Sequence, residues 1–250
     1  MQSEIAQRLK FRYSPVAILF SDEKPQGALE FKEGRWGCVA VMLTSAAKGR
    51  RTVFSRTTFG CDGGGVGLGL INQFSEGFEY FLSTGKEELP PVDGIPEPEA
   101  FKKTPELAKE WMGSLTLVSI PEQYVIFTPL TEVDVAKEEP RVVVFYANPD
   151  QLTALIVLAN YGRPGYDNVV APFASGCMTA CLLAWNEAAR ERPRAVIGMT
   201  DVSARPHIEA DLLSFSMPYN MFREMENNVP GSFLDKREWQ KIAERIPDNR

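Results

Sequence analysis

The sequence predicts an α/β or α+β fold, a mixed sheet flanked by helices, and three observations lead there. Short apolar strands such as Val16–Ser21 and Arg141–Ala147 alternate with segments of helical periodicity such as Cys38–Lys48 and Asp150–Asn160. The composition, 44% apolar and 24% charged over 250 residues, is that of a globular chain able to bury a sizeable core as one unit. A glycine or proline stands at most of the breaks between these segments, as it should where elements are short.

Taken in order, residues 2–10 read as a short helix and Val16–Ser21 as a strand ended by the polar Asp22–Gly27 turn. Cys38–Lys48 is helical, stopped by Gly49, and Arg51–Ser55 alternates as a strand. A glycine-rich turn follows Cys61. Glu87–Pro105 carries prolines at 90, 91, 96, 98 and 105, which predicts an exposed excursion or lid. Thr104 before Pro105 reads as an N-cap for a helix to about Met112. Strands at Tyr124–Phe127 and Arg141–Ala147 precede a helix over Asp150–Asn160. Asn168–Pro172 is a further strand, Cys177–Ala188 a buried helix, and Val196–Ile197 a short strand. Leu213, Phe215 and Met217 alternate on a last strand, Pro218 starts a helix, and a charged helix over Leu234–Arg245 closes the chain.

The two halves resemble each other. An apolar strand (VAILFS; VVVFYA) leads through a helix to a segment ending in Gly-Cys, with the same step from Val53 to Cys61 as from Val169 to Cys177. A pseudo-repeat over about 14–85 and 123–190 would place Cys61 and Cys177 at equivalent points of two β-α-β-Cys halves; chance similarity between two short strands is the competing reading.

A net charge of −6 argues against a nucleic-acid partner, because phosphate binding needs clustered Lys and Arg. The N-terminal apolar run is too short for a signal peptide and none spans a bilayer, so a cytoplasmic protein without a membrane partner is expected. A single histidine excludes three-His zinc sites, and any catalytic triad would have to use His207, which reads as an exposed loop residue.

Chemistry therefore falls to the four cysteines. Three of them, Cys38, Cys61 and Cys177, follow glycine directly and stand where a helix begins. Glycine there permits a turn closed to other residues, and the helix N-terminus should lower the thiol pKa. Cys181 follows alanine and reads as a small buried apolar residue. Scattered thiolates of this kind suit an iron–sulfur cluster; structural zinc usually takes paired knuckles.

Two polar segments supply the other candidates. Asp62, Gly63, Gly64 and Gly65 lack the dinucleotide and P-loop registers, but could offer amides to an anion or let the chain approach a cofactor; a tightly packed turn without a ligand is the competing reading. In Thr200–Arg205, Asp201, Ser203 and Arg205 would share one side if extended, with Arg205 reading an anion and Asp201 orienting it; a structural Asp–Arg pair is the plainer alternative.

The segments RWGCVAVMLTSAAKGR, FGCDGGGVGLGL, FASGCMTACLLAW and GMTDVSARPHIEADLLSFSMPY together resemble domain of unknown function 169, the uncharacterised ArCR family of archaea and anaerobic bacteria. Cys38, Cys61, Gly63, Gly64, Cys177, Arg205 and Pro218 fill that family's pattern, and Cys181 lies outside it. The resemblance implies motifs and no established activity, although such a distribution accords with an oxygen-sensitive cofactor. The expectation is a protein holding a cluster through Cys38, Cys61 and Cys177, with one open iron for a small anionic ligand and a small-molecule or redox partner. The alternatives are a metal-free small-molecule-binding protein or thiol enzyme using Cys61, and a scaffold whose cysteines merely pack.

Overall fold

The structure, a computed structural model, describes residues 1–85 and 97–247. Residues 87–96 of the expected proline-rich excursion thus lie outside the described residues. In chain order the elements are α1 (Glu4–Arg8), β1 (Val16–Ser21), α2 (Val39–Ala47), β2 (Thr52–Phe54), α3 (Asp62–Gly67), α4 (Phe78–Phe81), α5 (Pro105–Ser114) and β3 (Tyr124–Pro129). They continue with β4 (Val142–Ala147), α6 (Pro149–Tyr161), β5 (Val169–Val170), α7 (Gly176–Ala180), α8 (Leu182–Asn186), β6 (Ala195–Gly198), β7 (Leu213–Pro218), α9 (Tyr219–Asn227) and α10 (Arg237–Ala243).

The strands form one mixed sheet in the order β2-β3-β1-β4-β7-β6-β5, antiparallel except for the β5–β6 pair, so the fold is α+β. At its centre Val16 of β1 faces Val144 of β4, and all six residues of β4 are buried. Alternation then separates two cores. Val16, Ile18, Phe20, Val142, Val144 and Tyr146 pack under α2, α7 and α8. Ala17, Val143, Phe145 and Ala147 pack under α6 and α9, with Ile5 of α1 and Trp239 of α10.

Capping explains where the strongest helices start. Asn148 accepts from the Gln151 amide at 2.9 Å while Gln151 Oε1 accepts from the Asn148 amide at 3.0 Å, and Pro149 fills the first turn of α6. Thr104 caps α5 in the same way, accepting from the Leu107 amide at 3.3 Å. Other expected boundaries move. The strand at Asn168–Pro172 contracts to two residues, since Pro172 has no N–H for a ladder. The buried helix after Cys177 bends at Cys181, between α7 and α8. The closing helix shortens to Arg237–Ala243 behind a separate 3₁₀ turn at Phe233–Asp235. The expected glycine-rich turn is helix α3, and α4 was not anticipated.

The sheet brings the Gly-Cys segments together from far apart. β2 and β5 lie on opposite edges, yet the helices that follow them, α3 and α7, are in contact on one face. The likeness of the halves does not extend to α2 and α6, which cover opposite faces.

Candidate functional site

Cys38, Cys61 and Cys177 line one cavity of about 130 Å³, counted as the space open to the centres of water molecules. Cys38 is the N-cap of α2, Cys61 the N-cap of α3, and Cys177 lies in the first turn of α7. The glycine before each permits the approach. A Cβ on Gly60, whose φ is +88°, would stand 2.4 Å from the Gly37 carbonyl oxygen, and one on Gly176 would stand 2.5 Å from Met199 Sδ. Only Gly60 of the three needs a left-handed backbone; Gly37 and Gly176 are there for room.

Each sulfur meets backbone amides. Cys38 receives those of Ala40 and Val41, Cys61 that of Gly64 at 3.2 Å, and Cys177 that of Met178. Cys177 Sγ also lies 3.2 Å from Ser175 Oγ and donates to the Gly63 carbonyl at 3.2 Å. Cys181 is fully buried in the core beside Ala180 and Ala184, away from the cavity, and burial alone pushes its thiol up to about 12.

The lowered thiol pKa expected from helix N-termini does not hold for Cys38 or Cys177. Burial raises Cys38 against its two amides, and pushes Cys177 up to about 12 against the Ser175 hydroxyl. Loss of water outweighs the amides because the thiolate is the charged form. Burial likewise raises the Asp201 and Glu99 carboxyls, which share the cavity wall.

Of the other expected site residues, Gly63, Asp201 and Ser203 line the cavity. Asp62 instead clamps the following loop, accepting from the Ser75 amide at 2.9 Å and its hydroxyl at 2.8 Å. Gly64 offers its amide to Cys61, and Gly65 makes room for Ile71. The extended Asp201–Arg205 segment is a correction. Asp201 accepts from the Ala204 amide at 2.7 Å, which curls the chain into a turn and a 3₁₀ helix over Arg205–His207, so alternation is lost. Arg205 therefore turns away and donates to the carbonyls of Leu212, Glu209 and Ala210; it neither lines the cavity nor pairs with Asp201. Ser203 donates to Glu99 at 2.7 Å. His207, expected on an exposed loop, is half-buried and contributes to the wall.

The sequence reading missed the cavity's aromatic side. Phe74, Phe78, Trp111 and Phe173 form a continuous run of rings, with centroids 4.6 Å apart for Phe74–Phe78, 6.2 Å for Phe74–Trp111 and 5.5 Å for Trp111–Phe173. Trp36 and Phe173, 52% and 50% exposed, mark the mouth. The spacing of Phe74, Phe78 and Phe81 was a usable signal for an apolar face.

Among the described residues no three His, Cys, Asp or Glu side chains stand close enough together to hold a single metal ion, and no helix is long and apolar enough to cross a membrane. A family model described as uncharacterised ArCR, domain of unknown function 169, matches residues 4–228. No curated protein and no solved structure matches the chain.

Proposed function

Because the chain belongs to the uncharacterised ArCR family, whose description assigns no chemistry, we propose from its cavity that it holds an iron–sulfur cluster through Cys38, Cys61 and Cys177. The observation that supports this reading is that three cysteines from separate parts of the chain line one cavity, each with a backbone N–H directed at its sulfur. Such N–H···S contacts are a means by which proteins tune clusters.

A single zinc ion is not the reading, because among the described residues no three such side chains stand close enough to share one ion. A tetrahedral ion needs all its sulfurs at one bond length from one point, whereas a cluster takes its cysteines on different irons and so tolerates wider spacing. Ligation replaces the thiol protons, so the raised pKa of Cys38 and Cys177 is a cost that metal binding must exceed. When bound, a cluster held by three cysteines would supply electron transfer or a Lewis-acidic iron. Asp201 and Glu99 add negative charge to the cavity lining and favour a low reduction potential.

The test is anaerobic reconstitution with iron and sulfide, followed by metal and sulfide analysis and a visible spectrum. Wild type and Cys181→Ala should be coloured; Cys38→Ala, Cys61→Ala and Cys177→Ala should lose most of the iron. A colourless wild type overturns the reading. The aromatic wall favours a second reading, a metal-free small-molecule-binding protein, in which the three Ala variants bind ligand and fold like wild type.

A further inference from the structure

The cavity has a charge character that the sequence did not suggest. Among the described residues no Lys or Arg side chain lines it, one histidine does, His207, and two carboxyls do, Asp201 and Glu99. Asp201 satisfies one oxygen through the Ala204 amide at 2.7 Å, but its Oδ2 is buried with no hydrogen-bond partner. Glu99 is half-buried and is hydrogen-bonded to Ser203. A carboxylate withdrawn from water without a cation nearby is destabilised, so a ligand carrying positive charge relieves both groups. Arg205, the residue expected to favour an anion, is committed to three backbone carbonyls.

The aromatic part of the lining suits the same ligand. Aromatic faces carry negative π density, which attracts a cation within about 6 Å of a ring centroid; Phe74 and Phe78 are stacked on each other, which covers one face of each. Phe173 already accepts one such contact, with Lys102 Nζ 4.4 Å from its ring centroid. Aromatic rings and carboxyls lining one cavity are the groups that recognise organic ammonium ions. An anion would meet two carboxyls and, among the described residues, no base but the half-buried His207.

We propose that this cavity binds a small organic cation, an amine or quaternary ammonium on an apolar or aromatic body, with the charge held between Asp201 and Glu99 and the body against the Phe74–Phe173 wall. The proposal is independent of the cluster, because rings and carboxyls line the cavity with or without iron.

The test titrates the metal-free full-length protein with three probes of similar size: phenyltrimethylammonium, its neutral counterpart tert-butylbenzene, and benzoate. Binding is followed by calorimetry and by the fluorescence of Trp36 and Trp111, both on the cavity wall. The cation should bind saturably and about tenfold or more tighter than the neutral probe, and benzoate should not bind. Asp201→Asn and Glu99→Gln should each weaken the cation by about tenfold and leave tert-butylbenzene unchanged. Equal binding of the cation and the neutral probe, preference for benzoate, or no saturable cation binding overturns the proposal. If Asp201→Asn does not fold, the wild-type ranking and Glu99→Gln still decide. A colourless reconstitution with intact cation preference removes the cluster alone, and a coloured one without that preference removes the cation site alone.

Discussion

The Cys177 thiol donates to the Gly63 carbonyl at 3.2 Å, a bond between residues 114 positions apart that joins α7 to α3. The two helices meet so closely that a Cβ on Gly67 would stand 2.7 Å from Cys177 Sγ and 2.8 Å from the Met178 nitrogen. Gly67→Ala should therefore lose about 1–3 kcal/mol of stability by overpacking and most of the reconstituted iron. Gly63→Ala meets nothing within 4 Å and should cost far less. Denaturant midpoints and iron content of the two variants check this; equal effects would mean that α3 and α7 are not packed as described.

Cys181 should behave unlike the other three cysteines. Its sulfur is buried in the core, and the only influence on its pKa is burial. Cys181→Ser places a hydroxyl there without a partner and should cost about 1–3 kcal/mol, more than Cys181→Ala, while neither lowers cluster content. In the native protein Cys181 should resist iodoacetamide at pH 8, since burial holds it as an inaccessible thiol. Mass spectrometry after brief alkylation reads this out, and rapid labelling would contradict the packing.

Arg205 should matter to the loop rather than to a ligand. Arg205→Met removes donors to the carbonyls of Leu212, Glu209 and Ala210, which should cost about 2 kcal/mol and expose the 199–212 segment to limited proteolysis. Unchanged stability and proteolysis would return it to the role of ligand anchor.

Glu226 gives the protein a pH signature. It accepts from the Ser3 hydroxyl and, at 2.9 Å, from the Glu4 amide, linking α9 to the start of α1, and burial raises its pKa. A carboxyl raised in the fold binds its proton more tightly there than in the unfolded chain. Its contribution is complete below the ordinary glutamate pKa of about 4.3 and declines as pH rises through the higher folded value. Glu226→Ala should cost about 1–3 kcal/mol, and more at pH 4 than at pH 7, measured by urea denaturation at both.

How much of this was legible in the sequence depended on whether the signal was local. The capped helix start at Thr104 and the apolar strands β1 and β4 could be read directly, because caps and alternation act within a few residues. The division of Cys38, Cys61 and Cys177 from Cys181 was legible through the glycine before each, though the reason is mostly space, as Met199 against Gly176 illustrates. Helix α3 was legible as a helix start at Cys61 but its length was not, because glycine disfavours helices, and its packing on α7 shows why a chain of glycines is tolerated there. Arg205 was misdirected by one hydrogen bond, from the Ala204 amide to Asp201, that turned a strand-like pattern into a bend. Of the aromatic wall only the Phe74–Phe78–Phe81 spacing was legible, because Phe74, Trp111 and Phe173 meet only in the folded chain.

The meeting of α3 and α7, reached from opposite edges of the sheet, also dictates an order of events during synthesis. Cys38 and Cys61 emerge early, but the cavity lacks its third thiol until Cys177 has been made and its acidic wall until Asp201 follows. Contacts so distant in sequence form late and slowly. The site thus cannot be loaded on a nascent first half, and any cofactor or ligand must enter a chain already made past Asp201. Once inside, an occupant that prefers the native state adds its binding free energy to the stability of the whole chain. The occupied cavity then reports that both edges of the sheet have docked.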